Sequence, residues 1–167
     1  MGRKNFRLFL LLFVGAIGIT AAALDAPAQA APIHPAIDVD RDDLECLALT
    51  IYWESRGQGP AAQNAVAFVV LNRVADPAFP DTICGVAKQG GTQRYKCQFT
   101  WYCDGRSDVP TEKSSWREAQ ARARGALQGR LKDPTFGATY FHHVRVSPSW
   151  RGSFEQTAQL GPHLFYR

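Results

Sequence analysis

Three things are scarce or missing in this sequence of 167 residues. Its four cysteines include no Cys-x-x-Cys pair, so the closely spaced ligands of a typical zinc site are absent. No segment repeats internally, and the length suits a single domain. Charge of either sign is modest, with a formal net charge of +4. The missing Cys-x-x-Cys pair argues against a metal site, and we expect neither a metal nor another cofactor.

The first thirty residues have the pattern of a targeting segment. Arg3, Lys4 and Arg7 form a basic start, Leu8–Ile19 is apolar, and Ala28-Gln29-Ala30 resembles a cleavage site. We therefore predict a cleaved signal peptide over residues 1–30 and export to the periplasm or cell envelope. The alternative is an N-terminal membrane anchor, because the apolar stretch is just long enough to span a bilayer.

Removal of residues 1–30 leaves 137 residues and changes the charge argument. That segment holds three basic residues and one acidic residue, so the formal net charge falls from +4 to +2. A domain with so little charge gives no case for nucleic acid as a partner. We predict a proline-containing linker over residues 31–42 and one compact domain over residues 43–167, which we expect to be a monomer.

The cysteines remaining after export are even in number: Cys46, Cys84, Cys97 and Cys103. In an oxidising compartment an even count predicts two disulfide bridges, with three possible pairings. A catalytic thiol is disfavoured, because a free cysteine is easily oxidised outside the cytosol.

Periodicity and turn signals predict an α+β fold with its helices first. The predicted helices are Asp43–Ser55 with Asp43 as its cap, a buried Pro60–Val74, a short Thr82–Lys88 capped by Asp81, and one opening at the capping box Ser115-x-x-Glu118. The predicted strands are Tyr95–Cys103, residues 138–146 and a pair within Ser153–Arg167. The architecture is therefore three to four helices with a small antiparallel sheet.

Glu54 occupies an unusual place in the first helix. It lies seven residues after Leu47 and three after Ile51, so it continues the apolar stripe. Partial burial should raise the pKa of its carboxyl group and keep it protonated near neutrality, as a general acid requires. The alternative is a carboxylate paired with Arg56 or Arg73.

The chain resembles the bacterial cell-wall hydrolases related to spore cortex-lytic enzymes. The resemblance covers residues 44–167, and its ordered blocks are YWESRGQGPAAQNAVAFVVLNRV at 52–74, FPDTIC at 79–84, CQF at 97–99, DPTFGATYF at 133–141, Trp150, and GPHLFYR at 161–167. It implies a lysozyme-like cleft, peptidoglycan glycan strands as substrate, and Glu54 as acid and base. One departure is Gln58, which stands where the family usually has an acid.

Sugar binding needs flat aromatic faces and polar donors. The substrate-binding candidates are Tyr52, Arg56, Gln98, Tyr140 and Trp150, of which Gln98 and Tyr140 correspond to family blocks. Phe99, Phe141 and Phe165 are instead expected in the core.

Ordinary glycoside hydrolysis uses two carboxyl groups. The only candidates for a partner to Glu54 are Asp104, in a Cys-Asp-Gly turn, and Glu155, expected at the surface. A single well-placed acid favours a lytic transglycosylase, which needs no protein nucleophile. The alternatives are a muramidase-type hydrolase and a non-catalytic wall-binding module. A peptide amidase is disfavoured, because no metal cluster or Cys–His pair is evident.

Overall fold

The computed structural model describes residues 39–167. The predicted signal peptide and most of the predicted linker lie outside this range. The helices are α1 Arg41–Ser55, α2 Pro60–Ala75, α3 Ile83–Ala87 and α4 Lys113–Leu127, and the strands are β1 Tyr140–His143, β2 Gln156–Leu160 and β3 His163–Tyr166. Short 3-10 helices cover Thr100–Cys103 and Ser149–Ser153. None of the helices in the described range is long and apolar enough to cross a membrane.

The main core lies between α1 and the other three helices, and α1 contacts each of them. Leu47 and Ile51 of α1 are at most 1% exposed, and they pack with Val66 and Val70 of α2. Because α2 is apolar on nearly every side, it also buries Val69 against the sheet side of the molecule. The predicted central buried helix is thereby confirmed, and its bounds differ from the prediction by one residue.

The sheet is antiparallel, with the order β1-β3-β2. Residues Gly161 and Pro162 form the tight turn between β2 and β3, and Gly161 has a φ of 57° that suits a glycine. All four residues of β3 are buried, since this central strand has a neighbour on each side. Phe165 of β3 packs on Ala65 and Val69 of α2. The α+β architecture is therefore confirmed.

Two helix starts differ from the predictions. Helix α1 begins at Arg41, within the predicted linker, because the Asp40 carboxylate caps it by accepting hydrogen bonds from the backbone N–H groups of Asp42 and Asp43 at 2.9 and 3.0 Å. The cap of α3 is Thr82 and not Asp81, since the Thr82 hydroxyl accepts the Gly85 N–H at 3.0 Å.

The predicted capping box of α4 is wrong. The helix starts at Lys113, and no side chain of its own caps it. The hydroxyl oxygen of Tyr52, on α1, accepts the backbone N–H groups of Thr111 and Glu112 at 3.2 and 3.1 Å instead. Because Tyr52 lies 60 residues before Glu112, the sequence around the helix start does not show this contact.

The predicted strand over Tyr95–Cys103 is also wrong. Cys97 and Cys103 form a disulfide bridge with their Cα atoms 6.1 Å apart. Six residues of extended chain would span about 20 Å, so the bridge requires a compact turn, and the 3-10 helix Thr100–Cys103 supplies it.

The second bridge joins Cys46 of α1 to Cys84 of α3. The prediction of two bridges is confirmed, and no cysteine in the described residues is free. This bridge ties α1, the helix that carries Glu54, to α3 across 38 residues of sequence.

Candidate active site

Glu54 lies in the last turn of α1, where the helix leaves the core. Arg56 has an extended ψ of 143°, and Gly57 has a φ of 75°, a conformation that a side chain would strain. The chain therefore turns away directly after Glu54. The glutamate side chain is half-buried, with protein on most sides and solvent on one.

Burial raises the pKa of Glu54 from its usual 4.5 to about 7, and the charge of Arg73 opposes part of this rise. Within residues 39–167, no hydrogen bond or ion pair reaches the Glu54 carboxylate. Arg56 pairs with Glu112 at 3.3 Å instead, and Arg73 donates to a backbone carbonyl. The ion-paired alternative is therefore not what the structure contains, and desolvation dominates.

Glu54 opens into a cleft of about 260 Å³. On the α1 side the cleft is lined by Trp53, Glu54 and Arg56, and on the other side by Trp101, Asp104 and Asp108. The indole N–H of Trp53 donates to the carbonyl of Asp108 at 3.3 Å and thereby fixes the opposite wall to α1. A larger hollow of about 640 Å³ at the start of α1 shares Trp101 and Asp108 but does not contain Glu54. The smaller cleft is the better candidate, because it holds the desolvated acid.

Arg73 of α2 lies beside Glu54 and is 1% exposed. Its Nε–H donates to the carbonyl of Thr139 at 2.6 Å. With the Gln98 amide oriented so that its oxygen faces the guanidinium, that oxygen accepts from both Nη atoms at 3.2 and 3.3 Å. Burial lowers the pKa of Arg73 to about 10, with Tyr140 and Glu54 acting in the opposite sense, so the side chain stays charged at neutral pH.

Two of the five predicted substrate-binding residues, Gln98 and Tyr140, contact this arginine, and a third, Trp150, packs against Tyr140. Gln98 is exposed and held by the guanidinium, whose carbon lies 5.8 Å from the ring centre of Tyr140. Tyr140 is half-buried and packs against Trp150 at 5.6 Å and Phe154 at 4.2 Å between ring centres. These rings form an aromatic group on the sheet side of Arg73.

The other two candidates differ in accessibility. Tyr52 is 0% exposed, and its hydroxyl is occupied by Arg56 at 3.1 Å and by the start of α4. Contact between Tyr52 and substrate does not fit this burial, so its role is corrected to a structural one. Arg56 is exposed, lines the Glu54 cleft and covers the Trp53 ring at 4.8 Å.

Of the two carboxyl groups predicted as possible partners of Glu54, one lies away from the cleft and the other lines it. Glu155 is exposed, forms an ion pair with Arg167 at 3.1 Å and does not line the cleft. Asp104 accepts the Arg106 N–H at 2.8 Å, the turn contact that its sequence predicts, but it also lines the cleft.

Asp108, which the sequence analysis missed, lines the same cleft. Burial and then the neighbouring Asp104 raise the pKa of its carboxyl group. Its sequence context, a loop without periodicity, offers no signal that could have found it.

Among residues 39–167, no group of three or more His, Cys, Asp or Glu side chains is placed to hold a metal ion. The expectation that the protein needs no cofactor stays a prediction.

Comparison with known proteins places this chain in a family. The model of the family described as Cell Wall Hydrolase matches residues 57–166. The chain belongs to this family. The matched range begins three residues after Glu54 and does not include the glutamate.

Curated relatives of this cell wall hydrolase carry the name spore cortex-lytic enzyme. The protein from Halalkalibacterium halodurans is 32% identical over 148 residues, which cover 86% of this chain and 41% of the relative. The protein from Bacillus subtilis is 30% identical over 74% of this chain and 37% of its own length. The chain therefore spans about two fifths of the length of these relatives.

Two solved structures of similar domains confirm the fold. The catalytic domain of the Bacillus cereus SleB protein has a TM-score of 0.58 and 28% identity, covering 77% of this chain and 91% of that one. The catalytic domain of the germination-specific lytic transglycosylase SleB from Bacillus anthracis has a TM-score of 0.61 and 28% identity, covering 78% and 98%. The family resemblance drawn from the sequence is thereby confirmed.

Proposed function

We propose that this protein cleaves the glycosidic bonds of peptidoglycan glycan strands as a lytic transglycosylase, with Glu54 as acid and then base. The observation that carries the proposal is a carboxyl group with a pKa of about 7, half-buried in a cleft and free of any partner in the described residues. The names of the relatives, a spore cortex-lytic enzyme and a lytic transglycosylase, support the substrate class. The predicted export would bring the protein to this substrate.

The reaction proceeds in two proton transfers. Glu54 gives its proton to the glycosidic oxygen as the bond between that oxygen and the anomeric carbon breaks. The 6-hydroxyl oxygen of the same sugar then bonds to the anomeric carbon, and its proton passes to the Glu54 carboxylate. The products are a new strand end and a 1,6-anhydro sugar, and the glutamate is protonated again. The N-acetyl group of the substrate helps to stabilise the developing positive charge.

On this proposal the strand contacts both the Glu54 cleft and the aromatic group on the sheet side of Arg73, whose residues do not line that cleft. Arg56 lies beside Glu54 on α1, while Gln98, Tyr140 and Trp150 offer an amide and aromatic faces on the side of Arg73. Aromatic faces and a few polar donors are what sugar rings require.

A muramidase-type hydrolase is the second candidate. The observation in its favour is that Asp104 and Asp108 line the cleft with Glu54. Either carboxylate could activate a water in place of the 6-hydroxyl group, which would give an ordinary reducing end.

Product analysis tests the proposal. Purified sacculi are incubated with the protein, and the released fragments are identified by mass. Anhydro-muropeptides support the transglycosylase, reducing ends support the muramidase, and freed peptides would indicate an amidase. Binding without any release would leave only the wall-binding module and would overturn both catalytic proposals.

Glu54→Gln supplies the residue-level test. The substitution should lower the rate by about 10²–10⁴-fold, the typical worth of a general acid, while sacculus binding persists. Glu45→Gln is the matched control, since Glu45 is an exposed glutamate on the same helix. A Glu54→Gln variant that kept a third of the wild-type rate would remove Glu54 from the mechanism.

A further inference from the structure

Arg73 is the one buried cation beside Glu54 among the described residues, and several segments of the chain pack around it. It belongs to α2, and its guanidinium carbon lies 5.2 Å from the ring centre of Phe79, 5.4 Å from that of Phe99 and 5.8 Å from that of Tyr140. These rings come from the loop after α2, from the disulfide-closed turn and from β1. Three separate segments therefore pack around a single charged group.

All three nitrogen atoms of the Arg73 guanidinium donate hydrogen bonds. Its Nε–H holds the carbonyl of Thr139, next to Tyr140, and its two Nη atoms hold the amide oxygen of Gln98. A guanidinium is planar, so these contacts fix Gln98 and the start of β1 at set angles to each other. Both Gln98 and Tyr140 are residues that we assign to substrate.

We propose that Arg73 is a positioning residue of this site, which fixes Gln98 and Tyr140 relative to each other and presents a buried positive charge to the Glu54 carboxylate once its proton has been given up. This inference rests on the proposed function. The charge has a use in each turnover, because the second proton transfer needs a carboxylate that persists until the 6-hydroxyl group attacks.

The other groups around Glu54 do not supply this charge. The charged side chains that line its cleft are Arg56, Asp104, Arg106 and Asp108. Arg56 is exposed and neutralised by Glu112, and the two aspartates oppose a carboxylate. Arg106 is exposed, so solvent screens its charge. Arg73 is the charged group near Glu54 that water does not reach.

The test compares two substitutions on soluble glycan strands across pH. Arg73→Met keeps most of the side-chain volume and removes the charge, so the alkaline fall of kcat/KM should move to higher pH. We expect the alkaline limb to move by roughly half to one pH unit. This is less than the pKa shift of ~1–3 units that an opposite charge at about 4–6 Å typically causes, because Arg73 forms no ion pair with Glu54. Arg73→Lys keeps the charge but loses the planar fork, so its alkaline limb should stay in place while kcat falls about tenfold.

A purely structural role for Arg73 predicts something else. Arg73→Met would then lower stability and rate with an unchanged pH profile, and that result would overturn the charge assignment. Full kcat in Arg73→Lys would overturn the positioning assignment. If Arg73→Met does not fold, Gln98→Glu at an exposed position places a carboxylate against the same guanidinium, and an unmoved alkaline limb in that variant would also contradict the proposal. Failure of the wild-type protein to cleave glycan would instead sink the proposed function itself.

Discussion

Replacing Glu54 with glutamine should stabilise the folded protein above neutral pH while removing its activity. The reason is the burial of the carboxyl group, whose pKa is about 7 in the folded chain against a usual value of 4.5. Below about pH 4.5 the carboxyl group is protonated in both the folded and the unfolded chain, so its ionisation does not change the free energy of unfolding. As pH rises through the window between these values, the unfolded chain ionises first, so the folded state loses stability.

The magnitude follows from the two pKa values. The interval from 4.5 to about 7, at about 1.36 kcal/mol for each pKa unit, is worth about 3 kcal/mol at pH 8. This is an upper bound, since the side chain is half-buried and water can move in when it ionises. Glutamine does not ionise, so the variant escapes the whole cost.

Urea unfolding at pH 4.5, 6 and 8 measures the effect. The gain in free energy of unfolding for Glu54→Gln over wild type should grow steadily across this series, from its smallest value at pH 4.5. Glu45→Gln should follow the wild type at every pH. A Glu54→Gln gain that is the same at all three pH values would refute the reasoning, because a pH-independent difference cannot come from ionisation.

Four further outcomes are expected. Tyr52→Phe keeps the buried ring but leaves the N–H groups of Thr111 and Glu112, just before α4, without their acceptor, and it should cost about 1–3 kcal/mol in thermal or urea unfolding; a loss under about 0.5 would contradict this role of the hydroxyl. Thiol titration of the unfolded, unreduced protein should find no free sulfhydryl. Double serine replacement should cost about 4 kcal/mol at Cys46–Cys84 and about 2 at Cys97–Cys103, from sequence separations of 38 and 6, and the reverse order would count against the loop-entropy argument. The rate on glycan strands should fall on the alkaline side near pH 7, where the cleft glutamate loses its proton, and a flat profile between pH 6 and 9 would speak against it as the acid.

The parts of the fold that the sequence predicts well are those set by local pattern. Helix α2 was identified because its apolar residues run over four turns, and Glu54 because it continues the stripe of Leu47 and Ile51. In both cases, burial follows from spacing along one helix. The position of a single acid at the rim of the core needed no knowledge of the remaining chain.

The parts that were missed depend on contacts between distant residues. The Tyr95–Cys103 segment has the composition of a strand, but a bridge whose pairing cannot be read from composition folds it into a turn. The two residues before α4 are held by Tyr52, which lies 60 residues before Glu112. Asp108 lines the cleft with Glu54, and the Trp53 indole holds its loop against α1 across 55 residues of sequence.

The direction of α1 has its own consequence for the reaction. A helix carries about half a negative elementary charge at its carboxyl end, and α1 has no basic residue in its last turn to offset it. The dipole of the whole helix therefore disfavours a bound anion next to Glu54 and favours a cation. In the proposed reaction the sugar ring gains positive charge at its anomeric carbon and becomes such a cation. The backbone of α1 therefore helps to stabilise it without a nucleophilic side chain.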